Sequence, residues 1–139
     1  MGGHAWGWPK RRIRRPVRRA VSDAPVRGGV WYVALDRTIG SEQAKTRPCL
    51  VVQRDSANAS SATTIVCPLS SAHGKTANVL NVLVRRPEAQ LKKDSLIVLN
   101  QIRTVDQLRL CGQMLGRVSE KTMASVDEGL RAILDLRDN

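Results

Sequence analysis

Six short segments rich in apolar and β-branched residues constrain the fold of this chain more than any other feature. They fall at residues 30–35, 48–53, 63–69, 78–84, 95–103 and 110–118. Short strands at this spacing, linked mostly by brief polar connections, are typical of a small, partly closed barrel with antiparallel pairing. A chain of 139 residues has room for one such domain. The sequence therefore predicts a mainly β fold, with residues 54–62 as a turn region and 36–46 and 70–77 as polar loops.

One helix is predicted after the last strand. Ser119 is a suitable N-cap, and Glu120 places an acid in the first turn. The apolar residues that follow recur at helical spacing and are Met123, Val126, Leu130, Ile133 and Leu134. We expect this apolar stripe to pack against the barrel or against a partner.

The positive charge is unevenly spread along the chain. The formal net charge is +11, but residues 1–27 carry eight Lys or Arg against one acid, which leaves only +4 for the remainder. The sequence predicts a basic, disordered extension over residues 1–27 and one domain over residues 28–139. Trp6 and Trp8 near the arginine run also allow the extension to be a nucleic-acid-binding arm, whereas a merely solvated tail is the alternative.

Histidine, metal and cofactor chemistry have little support in the sequence. His4 lies in the basic extension, and His73 has no second histidine in the domain to form an acid–base pair. No phosphate-binding loop, dinucleotide fingerprint or HExxH motif is present. Cys49, Cys67 and Cys111 are far apart and form no C-x-x-C pair. The sequence therefore predicts no metal and no cofactor.

The cysteine pattern also bears on location. An odd number of unclustered cysteines, two of them in apolar segments, fits buried thiols in a reducing compartment. No stretch approaches the 18 apolar residues of a membrane span, and no apolar core of a signal peptide follows the arginines. We therefore expect a cytoplasmic protein that does not enter a membrane.

The run that leads into the second strand, Gly40 to Val52 (GSEQAKTRPCLVV), places an arginine at the rim of the core. Pro48 has a fixed φ and suits the start of a strand, and it biases Arg47 toward an extended backbone. A guanidinium held in this way matches phosphate oxygens and stays charged at any working pH. A salt bridge at the strand edge is the competing interpretation of Arg47.

Polar residues near the other strand ends complete a site of arginine, hydroxyl and carboxylate type. Such a site suits RNA cleavage in which the substrate's own 2′-hydroxyl attacks the neighbouring phosphate, because the protein then supplies alignment and charge stabilisation. Arg47 would stabilise the phosphorane, Ser70 would orient or donate to a phosphate oxygen, and Glu42 is the candidate base. A solvated loop acid and a turn-capping hydroxyl are the structural alternatives for Glu42 and Ser70.

Three ordered motifs, GSEQAKTRPCLVV, TTIVCPLS and VLNQIRTVD, followed by a terminal helix, resemble the MazF/PemK toxin family over about residues 27 to 136. The resemblance implies an SH3-like barrel of the CcdB/MazF type that forms a homodimer. It also implies a metal-independent endoribonuclease that cuts single-stranded mRNA at short sequences, leaves a 2′,3′-cyclic phosphate and a 5′-hydroxyl, and is restrained by a MazE-like antitoxin. The catalytic arginine and hydroxyl of the family map to Arg47 and Ser70, and its loop glutamate maps to Glu42.

The resemblance extends to RNA contacts and leaves two other functions open. The expected RNA-binding residues are Lys45, Thr46, Ser71, Lys75, Gln101 and Arg103. Ser70 stands where threonine is common, and Asn100 replaces a frequent acid. A poison of a protein target with the same fold, and a nucleic-acid-binding module without catalysis, are the alternatives to the ribonuclease.

Overall fold

The computed structural model of the protein describes residues 23–35 and 46–137. Seven strands and two helices make up this part of the chain. The strands are β1 (Gly29–Ala34), β2 (Thr46–Val51), β3 (Thr63–Ser71), β4 (Asn81–Val84), β5 (Ser95–Val98), β6 (Arg103–Asp106) and β7 (Leu110–Arg117). The helices are α1 (Asp55–Ser60) and α2 (Glu120–Ile133), and short 3₁₀ turns cover Glu88–Gln90, Leu99–Gln101 and Gln107–Arg109.

All seven strands belong to one antiparallel sheet. The strand order is β4-β5-β3-β2-β1-β7, and β6 pairs with β3. Within the described residues, the outer strands β4 and β7 do not pair with each other, so the curved sheet stays open. The predicted mainly β architecture with antiparallel pairing and a C-terminal helix is confirmed.

Strand β3 changes partner along one edge. Its first residues, Thr63 to Val66, pair with β6, and its last residues, Leu69 to Ser71, pair with β5. The change falls at Cys67 and Pro68, where proline has no N–H to give to a ladder. The 3₁₀ turn Leu99–Gln101 carries the chain from β5 to β6 at this level. The single strand predicted over 95–103 is therefore wrong, because two strands separated by a turn occupy this segment.

Two apolar clusters cover the two faces of the sheet. One packs α2 against the sheet and includes Val30, Leu50, Cys67, Leu69, Ile97, Leu99, Val126 and Leu130. The other contains Trp31, Val33, Leu35, Cys49, Val51, Val66, Val105 and Leu110. Consecutive residues such as Val30 and Trp31 fall in different clusters because side chains alternate along a strand. We call the side of the second cluster the Cys49 face.

Helix α2 begins as predicted. Ser119 is its N-cap, and the Oγ of Ser119 accepts a hydrogen bond from the backbone N of Thr122 at 3.1 Å. Glu88 adds a second cap, since its carboxylate accepts from Ser119 N at 2.9 Å and from Thr122 Oγ1 at 2.7 Å. A carboxylate beside the first turn also complements the helix dipole.

The apolar stripe of α2 meets the sheet through four of its five predicted members. Val126 and Leu130 are buried, and Met123 and Ile133 pack against the same cluster. Leu134 is 47% exposed and lies just past the last helical residue, so its predicted place in the stripe is wrong. No helix in the described part of the chain is long and apolar enough to span a bilayer.

A short helix replaces the turn region predicted over 54–62. Helix α1 is held by the buried Asn58, whose Oδ1 accepts from Gln53 Nε2 at 2.8 Å and from Thr64 Oγ1 at 2.7 Å. Gln107 Nε2 donates to the backbone oxygen of Asn58 at 2.9 Å. This buried polar network fixes α1 against β3 and the turn after β6, a role that a sequence rich in Ser, Asn and Ala did not indicate.

Candidate active site

The register between β2 and β3 places the two central residues of the predicted site. Cys49 lies opposite Pro68, Leu50 opposite Cys67 and Val51 opposite Val66. Directly opposed residues of antiparallel strands point to the same face, and the face repeats every second residue. Continuing this register by two residues brings Arg47 level with Ser70. Both side chains therefore belong to the Cys49 face, at the end of the paired region.

Arg47 is anchored on its other side by β1. It lies opposite Val33, a fully buried member of the Cys49 face. Arg47 itself is half-buried, so the sheet supports its stem and leaves its head near the surface. Among the described residues, no carboxylate lies within ion-pair distance of Arg47. The salt bridge that competes with phosphate binding is therefore not seen in this part of the chain.

Ser70 occupies the corresponding position on β3. It is half-buried and lies opposite Leu96 of β5. Its strand is central, with β2 on one side and β5 and β6 on the other. Neighbouring strands therefore hold the backbone of β3 on both sides. A hydroxyl so placed can donate a hydrogen bond to an anion held by Arg47.

Arg103 also lies on the Cys49 face. It opens β6 opposite Val66, which is itself opposite Val51 of β2. Burial raises the pKa of the Cys49 thiol to about 12, and the positive charges of Arg47 and Arg103 both oppose that rise, while Cys67 reinforces it. Both guanidinium groups therefore contribute to the electrostatic potential at the Cys49 sulfur. Cys49 is thus a buried residue on the same face as the two arginines.

The other predicted RNA-binding residues do not all lie on the Cys49 face. Thr46 is exposed and pairs with Ala34, and Ser71 is half-buried and pairs with Ser95. Because side chains alternate along a strand, Thr46 and Ser71 lie on the other side of the sheet from Arg47 and Ser70. Lys75 is exposed in the turn after β3, where its N donates to Ala72 O at 2.7 Å. Gln101 is exposed on the 3₁₀ turn that leads into β6. Glu42 and Lys45 lie outside the described residues.

Two features of the site were not apparent from the sequence. The sequence predicts a buried thiol at Cys49, and the spacing of two residues from Arg47 is the sequence signal that the two share a face. The family resemblance implies an RNA contact for Arg103, but the position of Arg103 on this face depends on the pairing of β6 with β3. Among the described residues, no group of three or more His, Cys, Asp or Glu side chains could hold a metal ion.

Together, the fold and the site define a class of small, mainly antiparallel β proteins with a basic, hydroxyl-bearing sheet face. Residues 26–134 match the family model described as "PemK-like, MazF-like toxin of type II toxin-antitoxin system". The chain therefore belongs to this toxin family.

Individual relatives agree with the family match. The chain is 36% identical over 112 residues to "Endoribonuclease EndoA" of Bacillus subtilis (strain 168), which covers 81% of this chain and 96% of that protein. It is 37% identical over 112 residues to "Endoribonuclease MazF" of Staphylococcus epidermidis, covering 81% and 92%. These relatives confirm the toxin endoribonuclease class over a same-fold poison or a binding module without catalysis.

Solved structures support the fold class. A mycobacterial endoribonuclease, solved in complex with its cognate antitoxin, superposes with a TM-score of 0.65 at 22% identity, covering 84% of this chain and 100% of that one. The fold predicted from the sequence, a sheet-based barrel of the MazF type with a C-terminal helix, is confirmed.

Proposed function

We propose that this protein is the toxin of a type II toxin–antitoxin system and cleaves single-stranded mRNA by attack of the substrate's 2′-hydroxyl, with Arg47 and Ser70 as catalytic residues. The observation that carries the proposal is the shared face of these two side chains on the neighbouring strands β2 and β3. The domain of residues 28–139 would perform this reaction, with residues 1–27 as a basic extension.

The proposed reaction is an internal transesterification. The 2′-oxygen forms a bond to phosphorus, and the bond between phosphorus and the 5′-oxygen breaks. The proton of the 2′-hydroxyl goes to a base, and a proton is delivered to the departing 5′-oxygen. The products are a 2′,3′-cyclic phosphate and a 5′-hydroxyl.

Each residue has a defined task in this scheme. The Arg47 guanidinium would stabilise the charge that develops on the non-bridging oxygens, and Ser70 would donate a hydrogen bond to one of them. Arginine is a poor base because its pKa is about 12.5 or higher. Glu42, on the loop before β2, is the proposed base, and Lys45, Thr46, Ser71, Lys75, Gln101 and Arg103 are the proposed RNA contacts.

Cleavage in excess EDTA tests this function directly. We expect the purified protein to cut single-stranded RNA, to leave cyclic-phosphate and 5′-hydroxyl ends, and to spare a substrate with 2′-deoxyribose at the cut site. Loss of Arg47 or Ser70 in Arg47→Ala and Ser70→Ala should lower kcat by on the order of 100-fold or more. Ser70→Thr, which keeps the hydroxyl, should remain active.

Arg54→Ala is the matched control, because Arg54 is exposed beyond the opposite end of β2 and its removal changes the net charge equally. Cleavage of the 2′-deoxy substrate would contradict the mechanism. Full activity of Arg47→Ala would contradict the site and leave the fold unaffected.

The proposed partners follow from the same family membership. We propose a cytoplasmic homodimer that is inhibited by a MazE-like antitoxin, whose acidic and apolar tail would lie across the dimer groove and compete with RNA. The solved mycobacterial relative is itself in complex with an antitoxin. Adding saturating cognate antitoxin should abolish cleavage, and ribonuclease activity that persists would overturn the competition.

A further inference from the structure

Arg103 lies on the Cys49 face at a position that points to a task beyond RNA binding. It lies on β6, which is separated from β2 only by β3, so neighbouring-strand spacing puts β2 and β6 about 10 Å apart. Along the strands, Arg47 is level with Ser70, and Arg103 is level with Val66. The paired residues Cys49 and Pro68 lie midway between these two levels. The two arginines therefore flank the position of Cys49 and Pro68 on the sheet.

The electrostatics of Cys49 supports this placement. Its side chain is 0% exposed, and both guanidinium groups act on its thiol from the same side of the sheet. Beneath them the sheet is apolar, since Val51 and Val66 are fully buried. An apolar floor strengthens the interaction of the two cations with any anion bound between them.

We propose that Arg103 is a second catalytic residue, which contacts the reacting phosphate together with Arg47. The proposal rests on the proposed ribonuclease function and deepens it. As the 2′-oxygen bonds to phosphorus, negative charge grows on the two non-bridging oxygens. Arg47 and Ser70 would donate hydrogen bonds to one of these oxygens. Arg103 would extend across β3 and donate to the other. A residue that binds only a neighbouring phosphate would hold the substrate equally before and during the reaction.

This difference is measurable as a split between kcat and KM. An interaction made only in the transition state lowers kcat when it is removed, whereas uniform binding raises KM alone. Arg103→Ala should therefore lower kcat by on the order of 100-fold, with KM changed by no more than about threefold. Arg103→Lys keeps the charge but loses the planar fork of donors, so it should recover only part of the rate.

The assay uses the full-length protein, a short single-stranded RNA that the wild type cleaves, and excess EDTA. Arg54→Ala is again the charge-matched control, and thermal unfolding of each variant checks that it is folded. Binding of the 2′-deoxy substrate should be nearly the same for Arg103→Ala and Arg54→Ala. The double variant Arg47→Ala/Arg103→Ala should lose little more than Arg47→Ala alone, because residues that act as a unit are not additive.

The possible results separate the inference from the function on which it rests. A wild type that does not cleave RNA would overturn both. A wild type that cleaves, together with an Arg103→Ala variant whose kcat is unchanged and whose KM is raised, would overturn only the inference and assign Arg103 to a neighbouring phosphate. Independent, multiplicative losses in the double variant would also overturn it.

Discussion

At the scale of single residues, the register between β2 and β3 decides which side chains share the basic face. Arg47, Cys49 and Val51 alternate with Pro48 and Leu50, which belong to the other face. A slip of one residue in β2 would turn Arg47 away from Ser70 and bury it beside the helix. The buried Leu50 and Cys49 prevent this slip because each is fully enclosed in its own cluster.

The position of Arg47 could be predicted from the sequence, whereas that of Arg103 could be predicted only in part. Pro48 and the apolar residues after it identify the start of a strand, and that local signal is enough to place Arg47 at its rim. The position of Arg103 depends on β3 exchanging β5 for β6, which is a contact between distant parts of the chain. Sequence periodicity does not report such a contact, and the segment Ser95 to Arg103 reads as one continuous strand.

The reactivity of the three cysteines tests how deeply each thiol is buried. Burial raises the pKa of both Cys49 and Cys67 to about 12, and thiolate is the form that reacts with alkylating agents. At pH 8.5, iodoacetamide should modify the half-buried Cys111 in the folded protein and spare the other two. Mass spectrometry of tryptic peptides reports the outcome, and all three thiols should react in urea.

The sign of the associated pH dependence follows from the same shift. The pKa of Cys49 and Cys67 is higher in the folded protein than in the unfolded chain, so folding favours their protonated forms. This contribution to stability is complete below the unfolded pKa of about 9 and is lost as the pH rises toward 12. Rapid alkylation of Cys49 in the folded protein at pH 8.5 would contradict its place beneath the arginines.

At the scale of elements, helix α2 was the most predictable part of the chain. Ser119 and Glu120 mark its start, and the helical spacing of its apolar residues identifies the buried side. Gly129 lies in its middle because a Cβ there would collide with Leu99 Cδ1, so the helix approaches the sheet closely at this point. Helix α1 was missed because six residues without apolar periodicity give no helical signal, and its stability comes from the hydrogen bonds of Asn58.

The second cap of α2 leads to a prediction about stability. Glu88 reaches the helix from the 3₁₀ turn between β4 and β5 and accepts two hydrogen bonds, one of them from a backbone N–H. Glu88→Ala should therefore lower the free energy of unfolding by about 1 to 2 kcal/mol. Urea denaturation followed by circular dichroism measures this change.

Glu128→Ala is the control for the Glu88 variant. Glu128 is exposed in the middle of α2, and its removal changes the charge of the protein equally without touching the cap. Its effect should stay within about 0.5 kcal/mol. Equal stability of the two variants would show that the Glu88 cap contributes nothing beyond charge.

At the scale of the whole molecule, the positive charge of the sequence has two sources, residues 1–27 and the domain that follows. Residues 1–27 carry most of the formal charge, and the described chain enters the sheet where Gly28 N donates to Val51 O at 2.8 Å. Val51 ends β2, whereas Arg47 lies near its beginning, about 13 Å away along the strand. Within the described residues, the segment before β1 therefore meets β2 at the end that lies away from Arg47.

This separation predicts that removal of the extension changes binding but not chemistry. A chain beginning at residue 23 should keep the kcat of the full protein, because Arg47, Ser70 and Arg103 are untouched. If the seven bases of residues 10–19 all contact phosphates, the slope of log affinity against log salt should become less steep by about 5. A titration of the 2′-deoxy substrate at several salt concentrations measures the slope, and an unchanged slope would reject the arm.

Arg27, the last residue of the proposed extension, is bonded to three parts of the fold. Its Nε donates to Val52 O at 2.8 Å, its backbone N donates to Asp55 Oδ1 at 2.7 Å, and its guanidinium forms an ion pair with Asp127 of α2. These bonds attach the segment before β1 to the residue that follows β2 and to both helices, α1 and α2. A tag, a fluorophore or a surface linker could therefore be joined upstream of residue 23. A force on it would act on the bonds of Arg27 and not on the Cys49 face, so the N-terminal end is the suitable point for immobilising the protein.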